Sequence, residues 1–449
     1  MLSFLGAVLI AGLTADAAAD KAPPSPSEWK AQQRAAAEKS EGILKQADRL
    51  RGLLAQYLVM RAAFTADDSR AFRIIFGQYV SWQETYLGLY PEARASFSIK
   101  QVAEPDDAPS PVGRDDYAAE PAIEALTRLA KDRRAVFFNE NHSTPMTRTL
   151  TVPMLARLRE LGYTHFASET LDSRDRKLQT RGYPVTDSGF YTREPIYGEM
   201  VRTALALGFK VVAYEAESDA NGDAREREQA HLLVERVLKK DPGARLVVNA
   251  GYAHIQEGGR YLNGHSMAFH FRRLTGIDPL TVEQTFLFGH TDPAEDHPYY
   301  GPAMMATRAT QPIVYLGKDG KPWSLKPDWY DVSVFFPPEQ IEGGRPTWLR
   351  LGGLRKPYAI TGELCRSEFP CVIEARYANE SDDAVPADRF VFGLRDPRLS
   401  KTEQALLTGK DMRAELYLRP GKYRLVALGT NNEALSSQNI TVAGAGRRP

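Results

Sequence analysis

Residues 135–142 read AVFFNENH, and this run indicates the fold class. Four apolar residues are followed by a polar stretch that ends in His142. A short, continuous apolar run is typical of a strand that is buried on both faces of a parallel sheet. Ligands of open α/β sheets bind outside the carboxyl ends of such strands, so Glu140 and His142 stand where a functional site is expected.

Three later runs repeat this pattern. They read HFASET (165–170), KVVAYEAE (210–217) and RLVVNAGYAH (245–254). Each run follows a helix-like stretch that stops near Gly or a basic residue. Because helices alternate with short apolar strands, we expect an α/β domain over 117–300, with a mostly parallel central sheet and flanking helices.

Carboxylates and imidazoles stand at the ends of the four predicted strands. The predicted catalytic residues are Glu140, His142, Glu169 and His254. Glu and His together suit general acid–base catalysis, and they equally suit a divalent metal, for which His142, Glu169 and His254 would be the ligands. Gly251 is expected to let the backbone turn tightly before His254.

Substrate contacts are expected from neighbouring positions. The predicted substrate-binding residues are Tyr214, Glu215, Arg227 and Tyr252. Arg227 shares a predicted helix (223–240) with Arg225 and His231, and basic side chains facing the site would bind a carboxylate or phosphate. The segment 171–195 combines basic and aromatic residues between a strand and a helix, so it is placed to cover the site.

The regions on either side of the α/β domain have other patterns. Residues 28–103 are predicted to be helical, with apolar residues at helical spacing from Leu44 to Leu58 that indicate one amphipathic helix. Residues 311–449 contain short alternating runs separated by turn residues, among them Arg419-Pro420-Gly421. This pattern predicts a small antiparallel β-sandwich.

Two features of the sequence predict the cellular compartment of the protein: an apolar segment near the N-terminus and a pair of cysteines. An apolar run over residues 2–13, followed by three alanines at 17–19, predicts a signal peptide over 1–19 and a periplasmic or secreted protein. The run is too short for a permanent membrane span. The two cysteines, Cys365 and Cys371, are expected to form a disulfide in an oxidising compartment.

Charge and motifs exclude several function classes. The 449 residues include 57 Lys plus Arg and 57 Asp plus Glu, so the formal net charge is zero. Such a chain lacks the global positive field of nucleic-acid-binding proteins, and we expect no nucleic-acid partner. The sequence contains no Gly-x-Ser-x-Gly, His-Glu-x-x-His, P-loop or Gly-x-Gly-x-x-Gly motif, which argues against serine-elbow hydrolases, zincins and nucleotide-binding enzymes.

The strand-end motifs resemble those of the erythromycin esterase/ChaN/Tiki superfamily. The similar runs lie at 136–142, 166–170 and 249–254, within about residues 134–275. Members share a Gly-Glu-x-His strand end, a Glu on the next strand and a Gly-x-x-His, and often an Arg-Glu pair that here matches Arg227-Glu228. Asn139 stands where members usually have Gly.

The resemblance implies more than one activity. Its branches include ester hydrolases, metal-dependent proteases and haem-binding proteins of iron uptake. Carried over, it implies that His142 is the general base or a metal ligand, with His254 as the second histidine. Glu140 and Glu169 would then be the supporting carboxylates.

Our leading hypothesis is an exported hydrolase of ester or amide bonds that acts on a small-molecule or peptide substrate, with or without a divalent metal. His142 would deprotonate the attacking water, Glu169 would orient the imidazole or the water, and Glu140 with His254 would polarise the carbonyl. The alternative is a haem or metal-complex binding protein of the cell envelope, with Tyr214, Tyr252 or a histidine as axial ligand. A structural envelope protein that uses its β-sandwich for contacts is a third hypothesis.

Overall fold

The computed structural model describes residues 24–394 and 411–444, which divide into two compact units. One unit is Lys100–Gln340, and the other combines residues 24–99 with the described residues from Ile341 onward. The predicted signal peptide lies outside the described residues. No helix in the described part of the chain has both the length and the apolar character that crossing a bilayer requires.

Four helices open the second unit. They are α1 (Pro26–Ala47), α2 (Leu53–Ala66), α3 (Arg70–Tyr86) and α4 (Tyr90–Ser96). The side chain of Ser25 accepts a hydrogen bond from the backbone N–H of Glu28, which caps α1. The predicted single helix from Leu44 to Leu58 is wrong, because the chain leaves helical geometry between α1 and α2, where Gly52 has a φ of 84°.

The first unit contains an eight-stranded mixed sheet flanked by helices. Its strands are β1 (Tyr117–Pro121), β2 (Ala135–Glu140), β3 (His165–Ser168), β4 (Lys210–Ala213), β5 (Leu246–Gly251), β6 (Leu280–Leu287), β7 (Ile313–Gly317) and β8 (Val332–Phe335). Its helices are α5 (Ala122–Ala130), α6 (Thr151–Glu160), α7 (Leu178–Arg181), α8 (Pro195–Ala206), α9 (Gly222–Leu233), α10 (Met267–Thr275) and α11 (Tyr300–Thr307). The strand order is β1-β7-β8-β6-β2-β5-β3-β4.

The parallel part of this sheet positions the site. β2 pairs in parallel with β5 on one side and with β6 on the other, and β3 pairs in parallel with β5 and β4. The chain therefore reverses direction across the sheet beside β2, which is where open α/β sheets bind ligands. The predicted mostly parallel sheet with flanking helices is confirmed.

The C-terminal limit of the α/β region was predicted wrongly. β7 and β8 lie within the predicted sandwich (311–449), yet they belong to the large sheet, and their unit extends to Gln340. β7 pairs antiparallel with β1 and with β8. An antiparallel edge of a mixed sheet has the same short alternating pattern as a sandwich strand, so the sequence pattern does not distinguish them.

The rest of the second unit consists of small antiparallel sheets. Their strands are β9 (Ile341–Glu342), β10 (Arg345–Pro346), β11 (Lys356–Thr361), β12 (Cys371–Tyr377), β13 (Asp388–Phe392), β14 (Arg413–Leu418), β15 (Gly421–Leu428) and β16 (Ala434–Val442). β9 pairs with β10, β11 pairs with β14, and the order of the third sheet is β13-β12-β15-β16. The predicted turn at 419–421 joins β14 to β15, which lie in different sheets. The predicted disulfide joins Cys365 to Cys371, whose Cα atoms are 5.9 Å apart.

The helices and the four-stranded sheet share one hydrophobic core. Val372 of β12 and Val391 of β13 belong to the same buried cluster as Phe72 and Phe76 of α3. The predicted division into separate domains over 28–103 and 311–449 therefore does not describe this unit, which is built from both ends of the chain. An amphipathic helix and a sheet each have an apolar face to bury, and here they bury it against one another.

Candidate functional site

The first histidine of the site is held by the strand end that carries it. His142 Nδ1 lies 3.0 Å from Glu140 Oε1, and both side chains are buried. Glu140 Oε1 also accepts from Arg148 Nη2 at 2.8 Å, and Oε2 accepts from Asn249 Nδ2 at 3.1 Å. Burial opposes ionisation of Glu140, but the charge of Arg148 and the bond to His142 outweigh burial and lower its pKa.

A second histidine–carboxylate pair lies beside the first. His254 is in a 3-10 turn (Tyr252–Ile255) that follows β5, and its Nδ1 is 2.7 Å from Glu226 Oε2 on α9. The same Glu226 oxygen accepts from the backbone N–H of Met267 at 2.9 Å. Burial disfavours the cation of His254, but Glu226 and Glu169 outweigh it and raise the pKa of His254.

Glu169, at the end of β3, lies between the two histidines. Its Oε2 is 3.8 Å from His142 Nε2, and its Oε1 is 3.5 Å from His254 Nε2. The carboxylate also accepts from the backbone N–H of Gly251 at 2.5 Å and from Arg225 Nη2 at 3.3 Å. Burial opposes ionisation, yet the charges of His254, His142 and Arg225 lower the pKa of Glu169 to about 2, so it is an anion at neutral pH.

The backbone around the cluster is adapted to close approach. A Cβ atom at Gly251 would lie 2.2 Å from His142 Nε2 and 3.1 Å from Glu169 Oε2, so only glycine leaves room for these two side chains. Gly251 itself has a φ of −77°, and the predicted tight turn is made instead by Tyr252, whose φ is 45°. Thr170, after Glu169, also has a positive φ of 59°. Strained backbone of this kind concentrates at functional sites.

Tyrosine rings cover both imidazoles. The ring of Tyr191 stacks on His142 with 3.8 Å between centroids and 20° between planes. Tyr252 meets the same imidazole edge-on at 5.2 Å, and Tyr261 meets His254 edge-on at 5.3 Å. The backbone N–H of Tyr191 donates to Thr170 Oγ1. Tyr191 belongs to the segment 171–195, so this segment lies over the site.

The predicted substrate-binding residues have different surroundings. Glu215 lies in the cluster, where its two oxygens accept from Arg225 Nε and Nη2, both at 2.9 Å. The hydroxyls of Tyr214 and Tyr252 donate within the protein, to the carbonyl of Asn249 and to Asn141 Oδ1. Both side chains pack beside the cluster as support.

Arg227 is not at the site. It is exposed and pairs with Asp223, whereas Arg225, two residues earlier, reaches Glu169 and Glu215. The sequence 225–228 reads RERE, which contains two Arg-Glu pairs, and it is the first pair, Arg225-Glu226, that contacts Glu169 and His254. His231, on the same helix, is exposed.

Sequence reasoning also missed several residues that contact the predicted ones, directly or through Arg148. They are Arg148, Glu194, Glu226, Asn249 and Tyr261. A usable signal existed for Glu226, since it follows the arginine of an Arg-Glu pair on a helix. The others come from segments whose packing no local pattern specifies.

Asn139 occupies the position where the resembled family usually has Gly. Its side chain accepts from the backbone N–H of Gln284 at 2.6 Å and donates to the carbonyl of Tyr252 at 2.9 Å. It thereby ties β2 to β6 and to the turn that carries His254. Asn139 is fully buried.

The predicted metal ligands do not fit a metal ion in this arrangement. Within the described ranges, one set of acidic or imidazole residues has ligand atoms all within 4.8 Å of one another, and it is Glu104, Asp106 and Asp107 rather than the predicted set. The ammonium of Lys326 already pairs with that set, with Nζ 2.6 Å from Glu104 and 2.8 Å from Asp107. At the predicted site, the Arg225 guanidinium bonds to Glu169 and supplies the positive charge there.

The two tyrosines predicted as haem ligands fit no better. Burial raises the pKa of both Tyr214 and Tyr252, and nearby carboxylates raise both further. A tyrosine that binds haem iron does so as the phenolate, which these surroundings disfavour.

Comparisons with known proteins add little. No protein-family model and no curated protein matches the chain. A structure described as bacterial protein toxins shares 19% identity with a TM-score of 0.28, and the match covers 37% of each chain. The type III effector HopBA1 shares 12% identity with a TM-score of 0.24, covering 40% of this chain and 95% of the other.

A third similar structure is RRSP, a MARTX toxin effector domain from Vibrio vulnificus. It shares 16% identity with a TM-score of 0.28, and the match covers 61% of this chain and 68% of the other. The chain thus spans little more than a third of the first structure above, and TM-scores this low carry no functional argument.

Proposed function

We propose that this chain is an exported hydrolase of ester or amide bonds that works without a metal ion. The observation that carries the proposal is the arrangement of two histidine–carboxylate pairs, His142–Glu140 and His254–Glu226, on either side of the ionised Glu169. Pairs of this kind fix the tautomer and the orientation of an imidazole for proton transfer. Neither pair needs a cofactor to do so.

His142 is the proposed general base. Its Nδ1 donates to Glu140, which leaves Nε2 on the side of Glu169 to take a proton from the attacking water. Glu140 thus takes the role of orienting the imidazole, which the sequence analysis had given to Glu169. Glu169 would hold the water beside Nε2 and stabilise the imidazolium that forms.

His254 is the proposed acid. Its raised pKa favours the imidazolium, which would stabilise the developing oxyanion and then protonate the leaving oxygen or nitrogen through Nε2. The two histidines therefore have opposite roles, set by their neighbours. Arg225 offsets part of the negative charge of Glu169 and Glu215, which stabilises these carboxylates in the buried cluster.

Substrate entry requires a change in the 171–195 segment. The side chains of His142, Glu169 and His254 are almost fully buried, so an ester or amide must displace covering residues, of which Tyr191 is one, to reach Nε2 of His142. A small molecule or an extended peptide fits this requirement, and a rigid folded protein surface does not.

Export agrees with the Cys365–Cys371 disulfide, because such bonds persist in oxidising compartments.

The first experiment is a turnover assay on esters, lactones and peptides with the wild-type chain and the His142→Ala variant. Loss of the base should lower kcat/KM by about 100- to 10,000-fold. The matched control is His290→Ala, which removes another histidine–carboxylate pair, the partly buried His290–Asp296 at 3.0 Å, from the same unit. The control should retain wild-type turnover.

Two further observations separate the competing chemistries. Exhaustive treatment with a metal chelator should leave wild-type turnover unchanged, and loss of activity that zinc restores would contradict the metal-free proposal. If no substrate is turned over, haemin should be titrated. A Soret shift that depends on Tyr214 or Tyr252 would then replace hydrolysis with ligand binding.

A further inference from the structure

Arg148 connects two buried carboxylates. It ends the 3-10 turn Pro145–Arg148 after β2 and is itself buried. Its Nη2 donates to Glu140 Oε1 at 2.8 Å, and its Nη1 donates to Glu194 Oε2 at 2.7 Å. Because a guanidinium presents its donors in a rigid plane, it holds the two carboxylates in a fixed relation. We call Glu140, Arg148 and Glu194 the Arg148 bridge.

The Arg148 bridge fixes the carboxylate that orients the general base. Glu140 Oε1 accepts from both Arg148 and His142, and Oε2 accepts from Asn249. With partners at both oxygens, Glu140 is held against rotation, and its bond to Nδ1 selects the His142 tautomer. A partner that holds an orienting carboxylate acts on the imidazole without touching it.

The other end of the bridge is the start of α8. Glu194 caps this helix, since its side chain accepts from the backbone N–H groups of Ile196 at 2.9 Å and Tyr197 at 2.7 Å. Tyr197 donates its hydroxyl to the carbonyl of Glu169, and the Arg148 guanidinium lies 5.3 Å from the Tyr197 ring centroid. The first turn of α8 therefore contacts the end of β3 directly and the end of β2 through Arg148.

The segment 171–195 leads directly into this turn. Tyr191, which stacks on His142, stands three residues before Glu194. One short stretch of chain thus touches the His142–Glu140 pair twice, once through a ring and once through the Arg148 bridge. A shift of this stretch would change both contacts together.

We propose that Arg148 and Glu194 are positioning residues, which hold Glu140 so that His142 keeps its proton on Nδ1 and which couple this arrangement to the placement of the 171–195 segment. The kinetic consequences rest on the proposed hydrolase function. The effect on the imidazole does not, because it is a property of the protein alone.

The test compares Arg148→Met, Arg148→Lys and Glu194→Gln in the full chain. Arg148→Met should lower kcat by about 10- to 100-fold with little change in KM, as expected when an orienting partner is lost. Arg148→Lys should restore part of the lost kcat, because lysine returns the positive charge but lacks the planar guanidinium that donates to both carboxylates. The control is Arg159→Met, which removes an arginine that donates to the backbone carbonyls of Leu207 and Tyr163 at 3.0 Å each.

A spectroscopic measurement accompanies the kinetics. In ¹⁵N-histidine spectra, with the signal assigned by its loss in His142→Ala, wild-type His142 should carry its proton on Nδ1. Arg148→Met should show a mixture of tautomers, and Arg159→Met should match the wild type. An absence of wild-type turnover would refute the proposed function, and these spectra would still decide whether Arg148 positions His142.

Several results would overturn the inference. One is an Arg148→Met protein that folds, keeps kcat within about twofold of the wild type and shows no tautomer change. If Arg148→Met does not fold, Glu194→Gln replaces it, because the glutamine carbonyl can still accept from an N–H group of the first turn of α8 while Arg148 loses one of its two carboxylate partners. ¹⁵N-histidine spectra of Glu194→Gln that match the wild type would also contradict the proposed positioning role.

Discussion

Gly251 shows at the residue scale how the cluster depends on a missing side chain. A methyl group there would lie 2.2 Å from His142 Nε2, so Gly251→Ala must push the imidazole away from Glu169. A displacement of about 1 Å at a catalytic group can cost about 100-fold in rate. We expect Gly251→Ala to lower kcat/KM by about this factor, measured on whichever substrate the wild type hydrolyses.

The matched control is Gly243→Ala, in the turn before β5. A Cβ at Gly243 would meet nothing closer than Asp241 Oδ1 at 3.6 Å, an ordinary contact. This variant should keep both activity and melting temperature. Wild-type activity in Gly251→Ala would show that Nε2 of His142 does not need its observed position.

The four catalytic candidates named from the sequence come together because parallel strands end at a common edge of the sheet. This rule alone is enough to predict that Glu140, Glu169 and His254 lie close together. Arg148 was not predictable, since its partners Glu140 and Glu194 lie 8 and 46 positions away and only the folded chain brings them within reach. Arg225 was confused with Arg227 because a helix rotates by about 200° over two residues, and nothing in the sequence fixes which face turns inward.

At the scale of elements, α3 carries a carboxyl group that titrates with folding. Glu84 is buried, and its Oε1 accepts from the hydroxyl of Tyr57 on α2 at 2.9 Å. Burial raises the pKa of Glu84 from 4.5 to about 8, and the hydrogen bonds from Ser96 and Tyr57 oppose this only in part. The folded protein thus keeps this carboxyl neutral at a pH where the unfolded chain ionises it.

The sign of the pH effect follows from linkage. Because the folded pKa is raised, the contribution of Glu84 to stability is complete below about pH 4.5 and is lost as the pH rises towards 8. Glu84→Gln keeps the acceptor for Tyr57 without the charge. We expect its free energy of unfolding to exceed that of the wild type by an amount that grows from pH 5 to pH 8.

Denaturant titrations at several pH values measure this difference. Glu38→Gln, an exposed position on α1 that pairs with Arg34, is the control and should give a difference that does not grow with pH. A constant difference for Glu84→Gln would mean that the Glu84 carboxyl is already ionised in the folded helices.

At the scale of the whole molecule, the sequence predicted the kinds of element better than their grouping. The helices, the parallel strands and most of the C-terminal strands each have a local pattern of hydrophobicity. Which elements share a core depends on contacts between distant parts of the chain, such as Val372 of β12 with the cluster that contains Phe76 of α3. Local periodicity carries no information about such pairs, so the predicted three-part division did not anticipate a unit built from both ends of the chain.

This shared core makes a cooperative unit out of segments separated by the whole α/β region. Phe76→Ala removes a fully buried ring and should lower the free energy of unfolding of this unit by about 3–5 kcal/mol. If the helices and the four-stranded sheet unfold as one cooperative unit, Phe76→Ala must speed amide exchange in β12 and β13 by the same factor as in α3, because these elements open together. Native-state hydrogen exchange on the full chain measures both, with the exposed Arg34→Ala as a control that should change neither. Faster exchange confined to the helices would show that the strands fold without them, and the three-part division would then be the better description of stability.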